Sequence, residues 1–99
     1  LMKSRQEYIQ LLERITPTLR NEFGVKSLCV FGSVAREEQG EGSDVDVCVD
    51  MEPKMFLVIR LKRFLESVLE SSVDVVRLRK GLNPYLKSQI DRDAIYVFR

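Results

Sequence analysis

The chain has 99 residues, 44% of them hydrophobic, which predicts one domain spanning residues 1–99. Its net charge of only +1 argues against direct nucleic-acid binding. It contains no histidine, which excludes Ser-His triads, His-zinc sites and imidazole acid–base catalysis. We expect neither a signal peptide nor a membrane-spanning segment, because no apolar stretch has the required length. The composition therefore predicts a cytoplasmic protein without membrane contact.

The N-terminal segment has the periodicity of an amphipathic helix. Thr16-Pro17 should divide this helix, because proline removes a backbone hydrogen bond and clashes with the preceding turn. Gly24 should end it. The apolar residues at helical spacing predict one buried face: Tyr8, Leu11, Leu12, Ile15 and Leu19.

A buried strand and a glycine turn follow. Residues 25–31 (VKSLCVF) are mostly apolar and rich in β-branched side chains, which predicts a strand. Gly32 leaves room for close approach of a ligand, and Ser33 should cap a short helix over residues 34–36. Free backbone N–H groups at such a helix start suit a phosphate.

The next strand carries paired carboxylates. After a polar loop at residues 37–42 (EEQGEG), residues 43–50 alternate strictly, so that the valines face the core. Asp44 and Asp46 then share the opposite face, where two carboxylates can hold a divalent cation. The alternative is a polar outer face of an antiparallel strand, which aspartate's low strand propensity disfavours.

The second half of the chain predicts a crossover and a closing strand. Strand–helix–strand order from Val45 to Val76 implies parallel pairing, which would place Asp74 beside Asp46. Two such charges about 5 Å apart repel by roughly 3 kcal/mol, and Mg²⁺ would relieve this repulsion. The alternative for Asp74 is a solvent or cap contact at a strand start. The further elements predicted are a helix after Pro53, a strand over 72–78, a turn over 81–84, a helix over 85–92 and a strand over 94–98.

Other features favour structural interpretations. Residues 55–59 (MFLVI) are five consecutive apolar residues, for which we expect core burial, with a partner surface as the alternative. Cys29 and Cys48 should be free, buried thiols, as is usual in a reducing cytosol. The basic clusters at residues 60–63 and 77–80 are typical of solvated faces, with contact to an acidic or RNA-bearing partner as the alternative.

The chain resembles a known family at the glycine turn and the paired carboxylates. Gly32-Ser33, a ten-residue spacer and Asp44-x-Asp46 match the signature of the DNA polymerase β-like nucleotidyltransferases, and the small size resembles their minimal members. The resemblance implies an α/β fold, a small mixed β-sheet packed by helices. The chain departs from the usual Arg-Gly-Glu at Arg36-Glu37-Glu38, where a positive φ would strain Glu37.

The resemblance also implies a mechanism. Asp44, Asp46 and Asp74 would bind two Mg²⁺ ions, and Asp74 would also act as general base. Gly32 and Ser33 would hold the phosphates of ATP. Arg36 would either counter phosphate charge or pair with Glu37 or Glu38. For Ser43, a role in the turn competes with a phosphate contact.

Partner and acceptor follow from the same resemblance. Minimal nucleotidyltransferases commonly act as antitoxins beside HEPN toxins, which implies that AMP moves from ATP to a tyrosine hydroxyl of a cognate HEPN toxin. One alternative is a non-catalytic antitoxin that neutralises the toxin by binding. Another is transfer to a small molecule such as an aminoglycoside, which the absence of a substrate domain disfavours.

Overall fold

The computed structural model describes residues 2–99, which fold into a four-stranded sheet with helices on both faces. This mixed α/β architecture is the one predicted from the sequence. Within the described residues, no helix is long and apolar enough to span a membrane. The elements are α1 (Arg5–Arg14), α2 (Thr16–Glu22), β1 (Ser27–Phe31), α3 (Gly32–Ala35), β2 (Val45–Asp50), α4 (Met55–Leu69), β3 (Val73–Arg77), α5 (Pro84–Asp93) and β4 (Ile95–Phe98).

The strand order is β3-β2-β1-β4, with β3 and β4 at the edges. The central strand β1 is antiparallel to both β2 and β4, whereas β2 and β3 are parallel and joined through α4. The parallel pair confirms the predicted crossover. Its register places Val45 beside Val73 and Asp46 beside Asp74.

The strand period divides the interior into two layers. The larger cluster joins one sheet face to α1, α2 and α4, and includes the valines of β2 together with Leu61, Leu65 and Leu69 of α4. The smaller cluster lies on the opposite face and joins Cys29, Phe31 and Cys48 to Ile90 of α5. β1 is therefore buried on both faces, which explains its continuous apolar run.

The N-terminal helix is divided as predicted. Ser4 and Glu7 form a reciprocal capping box that begins α1, and α1 ends at Arg14. Pro17 occupies the first turn of α2, where its missing N–H would have had no intrahelical partner. α2 ends before Gly24, whose φ of +66° leads the chain into β1.

The expected core burial of the apolar run at the start of α4 is wrong for three of its five residues. Met55 is 74% exposed and Phe56 is 81% exposed, and Ile59 is exposed as well. Leu57 and Val58 pack at the margin of the larger cluster. A helix on one sheet face can bury only one side of its first turn, so consecutive apolar residues leave some side chains in solvent.

Candidate active site

Three aspartates lie on the sheet face that carries the smaller apolar cluster. Asp46 is the register partner of Phe31 on one side and of Asp74 on the other. Asp44 immediately precedes β2 and is two residues before Asp46, so the strand period places it on the same face. Asp44 and Asp74 are exposed, and Asp46 is half-buried. The structure therefore brings Asp46 beside Asp74, as the sequence predicted.

Gly32 is packed directly against the Asp46 carboxylate. A Cβ built on Gly32 would collide with Asp46 Oδ2 and would lie 3.1 Å from its Cγ. Gly32 also has a φ of +73°, which side-chain-bearing residues rarely adopt. The glycine is required here for both reasons, and it brings the backbone at the start of α3 against a metal-ligand candidate.

The electrostatic environment of Asp46 opposes its ionisation. The pKa of Asp46 is raised from 3.8 to about 6, chiefly by burial and also by the charges of Asp74 and Asp44, against a smaller lowering by Arg36. Because the folded pKa exceeds the unfolded one, the folded state binds more protons between about pH 4 and pH 6. The free energy of unfolding therefore falls as the pH rises through this range.

We expect Asp46→Asn to stabilise the metal-free protein at pH 7.5. The amide carries no charge to desolvate, and we expect a gain of about 1–2 kcal/mol after allowance for solvent screening. Urea unfolding in EDTA measures it, and the gain should shrink as the pH is lowered to 4.5. A variant that is less stable than the wild type at pH 7.5 would contradict this account of Asp46.

The short helix α3 begins two residues earlier than predicted, at Gly32 instead of residue 34. Its N-cap is Phe31, with no side-chain cap, so the predicted capping role of Ser33 is wrong. Because Gly32 lacks a Cβ, it can take the first position of α3 at a φ of +73° against the Asp46 carboxylate, which moves Ser33 into the first turn. The first-turn N–H groups still lack intrahelical acceptors, and Gly32, the first residue of this turn, packs against the Asp46 carboxylate.

α3 ends in a Schellman motif with an unusual residue. The N–H of Glu37 donates to Val34 O at 3.0 Å, and that of Glu38 donates to Ser33 O at 2.8 Å. Glu37 has a φ of +58° at the position where glycine is usual. The strain expected from the sequence is therefore present. Arg5 lies 3.4 Å from the Glu37 carboxylate in an exposed ion pair.

Arg36 is held by two carboxylates. Its Nε donates to Glu38 at 2.7 Å, and its Nη1 donates to Asp93 Oδ2 at 2.6 Å. The Asp93 side chain is only 3% exposed and also accepts from Arg92, and these hydrogen bonds lower the pKa of Asp93. Arg36 is thus oriented near Asp46, where it lowers that pKa. Sequence reasoning missed Asp93, because no local pattern links it to a residue 57 positions away.

Ser43 shapes the turn before β2. Its Oγ accepts from the N–H of Gly40 at 3.1 Å, and its own N–H donates to Gly40 O at 3.0 Å. These bonds close the loop and direct the chain into β2 at Asp44. The turn role is therefore observed, and a phosphate contact from Ser43 stays a prediction.

The residues present fit a magnesium ion shared with a substrate. Among residues 2–99, no three acidic, cysteine or histidine side chains converge closely enough to enclose a metal. Mg²⁺ usually takes one or two carboxylates together with phosphate oxygens and waters, so a complete protein cage is not required. The aspartate carboxylates on one sheet face can supply oxygen ligands to such an ion, and the ion would neutralise the negative charge that burial makes unfavourable on Asp46.

Comparison with known proteins gives a consistent result. Residues 13–99 match the family model described as "Polymerase beta, Nucleotidyltransferase". A Methanocaldococcus jannaschii protein assigned as a protein adenylyltransferase is 39% identical over 98 residues, covering 97% of this chain and 100% of its own length. Protein adenylyltransferase MntA of Thermococcus cleftensis is 36% identical, covering 97% of this chain and 98% of its own.

Solved structures show the same fold. A structure assigned to the minimal nucleotidyltransferases superposes with a TM-score of 0.75 at 36% identity, covering 94% of this chain and 95% of that one. A toxin–antitoxin structure with AMP-PNP gives a TM-score of 0.68 at 24% identity, covering 97% and 73%. A tri-AMPylated Shewanella oneidensis HEPN toxin in complex with its MNT antitoxin gives 0.65 at 23%, covering 91% and 71%.

Proposed function

We propose that this chain, which belongs to the polymerase beta nucleotidyltransferase family, transfers AMP from ATP to a hydroxyl of a partner protein. The observation that carries the proposal is the register of the parallel pair. It sets Asp46 beside Asp74, with the unsubstituted Gly32 backbone against the Asp46 carboxylate. Relatives at 36–39% identity that are named protein adenylyltransferases favour a protein as the acceptor.

The three aspartates would divide the chemical roles. Asp44 and Asp46 would hold Mg²⁺, and Asp74 would contribute to a second ion. When bound, these ions neutralise the triphosphate and polarise the acceptor hydroxyl. The backbone at Gly32 and Ser33 would orient the phosphates, because first-turn N–H groups there lack intrahelical acceptors. Arg36, fixed by Asp93, would offset phosphate charge near Asp46.

The reaction itself requires one proton transfer. The acceptor oxygen attacks the α-phosphorus of ATP, the bond from that phosphorus to the bridging oxygen breaks, and pyrophosphate leaves. Asp74 would accept the hydroxyl proton, since it is exposed on the face shared with Asp46 and the chain has no histidine. AMP then remains attached to the acceptor through a phosphodiester.

A HEPN toxin and its tyrosine hydroxyl are the partner and acceptor that we propose. Proteins of this fold occur with an adenine nucleotide analogue in a toxin–antitoxin complex and with an AMPylated HEPN toxin. These complexes make ATP and a HEPN protein the reactants to test first. A cytoplasmic location, two Mg²⁺ ions and a single domain over residues 1–99 belong to the same proposal.

Magnesium-dependent ATP binding is the first test. We expect calorimetry to show ATP affinity that falls about tenfold or more when Mg²⁺ is chelated, because the carboxylates and the triphosphate then repel each other. Asp46→Asn should weaken the Mg²⁺ dependence. ATP affinity that is unchanged by EDTA would contradict a shared carboxylate–metal–phosphate site.

A further inference from the structure

A groove runs along the edge of β3 that faces away from β2. Its volume is about 510 Å³. On one side, Val58 and Ile59 of α4 lie above the sheet face to which Val75 belongs. On the other side, Leu82 and Leu86 lie beside Val76 on the opposite face. Two apolar walls therefore overhang a single strand edge; the complete lining is Pro53, Met55, Val58, Ile59, Val75, Val76, Arg77, Arg79, Leu82 and Leu86.

The backbone at the floor of this groove has unused hydrogen-bonding capacity. The Val45 N–H donates to Ser72 O, and the Leu78 N–H donates to Val49 O, so the even-numbered residues from 72 to 78 bond to β2. The backbone N–H and C=O groups of the odd-numbered residues of β3 therefore point away from β2, towards the open edge of the sheet. Val73 uses its outward N–H to bond Glu66 at 3.1 Å. Val75 and Arg77 present the remaining outward N–H and C=O groups to the groove.

We infer that this edge accepts an extended segment of a protein partner as a fifth strand. Because α4 and α5 cover both sides, the added strand needs apolar side chains on both of its faces. An amphipathic helix would leave the N–H and C=O groups of Val75 and Arg77 unpaired under its apolar face, which is unfavourable. Hydrogen bonds from the edge would supply affinity, and the two apolar walls would supply selectivity.

The positive charges that line the groove favour an acidic partner segment. Arg77 and Arg79 line the groove, and no acidic side chain lines it within residues 2–99. A second copy of this chain would bring its own Arg77, Arg79 and Lys80 to the same edge, and these like charges would repel. A partner segment with aspartate or glutamate flanking its apolar residues would instead pair with them. This docking role goes beyond the transfer reaction and does not depend on it.

The test uses a synthetic peptide of alternating valines and isoleucines between two pairs of aspartates. Amide exchange of the ¹⁵N-labelled full chain is followed by NMR with and without this peptide. We expect the Val75 and Arg77 amides to become protected, while those of Asp74 and Val76, already bonded to β2, do not change. This alternation is the signature of strand addition, which helix docking would not produce.

Matched variants identify the walls and the charge. Ile59→Asp should weaken peptide binding about tenfold, whereas Tyr96→Asp, at the same 42% exposure on β4, should leave it unchanged. Arg77→Glu with Arg79→Glu should weaken it about tenfold and favour a peptide with lysines in place of the aspartates. Lys26→Glu with Arg63→Glu makes the same charge change outside the groove and serves as the control.

Three results would overturn the inference. Absence of binding by the aspartate peptide would show that Arg77 and Arg79 protect the edge rather than recruit a segment. Shifts confined to α4 and α5, without protection of Val75 and Arg77, would indicate a helical ligand. Protection of both amides that rises with protein concentration alone would identify a second copy as the occupant. None of these results bears on ATP binding, so the proposed transfer function is tested separately.

Discussion

Asp46→Asn is expected to reduce AMP transfer about a thousandfold while the fold is retained. The amide is nearly isosteric with the carboxylate but is a poor ligand for Mg²⁺. A metal ion stabilises the transition state by several kcal/mol, and each ~1.4 kcal/mol corresponds to a factor of ten in rate. The change leaves Gly32 and its close contact in place. Initial rates of AMP incorporation into the partner, at saturating ATP and Mg²⁺, measure the effect.

Asp50→Asn is the matched control for this variant. Asp50 lies on the same strand and, by the strand period, on the same face as Asp46, but its register partner is Ser27 at the opposite end of β1. We expect its transfer rate to remain within about threefold of the wild type, the range of a surface substitution. Asp46→Asn activity within a few-fold of the wild type would remove Asp46 from the metal site.

The site's central geometry could be predicted because strand period and crossover direction are local rules. The alternation of polar and apolar residues from Ser43 to Asp50 predicts that Asp44 and Asp46 lie on the same face of the strand. Strand–helix–strand order then required β3 to run parallel to β2, which set Asp74 beside Asp46. The division of the first helix depended only on Pro17, whose effect on the backbone is likewise local.

The errors and omissions concern the backbone conformation at Gly32 and two properties that depend on distant parts of the chain. Ser33 was expected to cap α3, but Gly32 can enter the helix itself at a positive φ, which shifts the start of the helix by two residues. Phe56 was expected in the core, yet its burial depends on where the sheet ends beneath α4. Asp93 reaches Arg36 only after α5 has packed against α3.

The largest biological effect is expected from Asp44→Asn combined with Asp46→Asn. If the chain neutralises a HEPN partner by nucleotidylation, the co-purified partner should gain about 329 Da for each AMP with the wild-type chain and nothing with the double variant. Cells should then lose protection from the toxin, although the complex still forms. Intact-mass analysis, complex recovery and growth assays measure the three outcomes in the same strains.

Protection by the double variant equal to that of the wild type would show that neutralisation occurs by occlusion. The non-catalytic alternative would then be correct for the biological role, even if the aspartates bind Mg²⁺. We expect the catalytic outcome, because occlusion gives no physical reason to hold Asp46 beside Asp74 at a raised pKa. Carboxylates held close together repel each other and oppose folding when no cation is present. A metal ion shared with a triphosphate would explain why the chain holds them together.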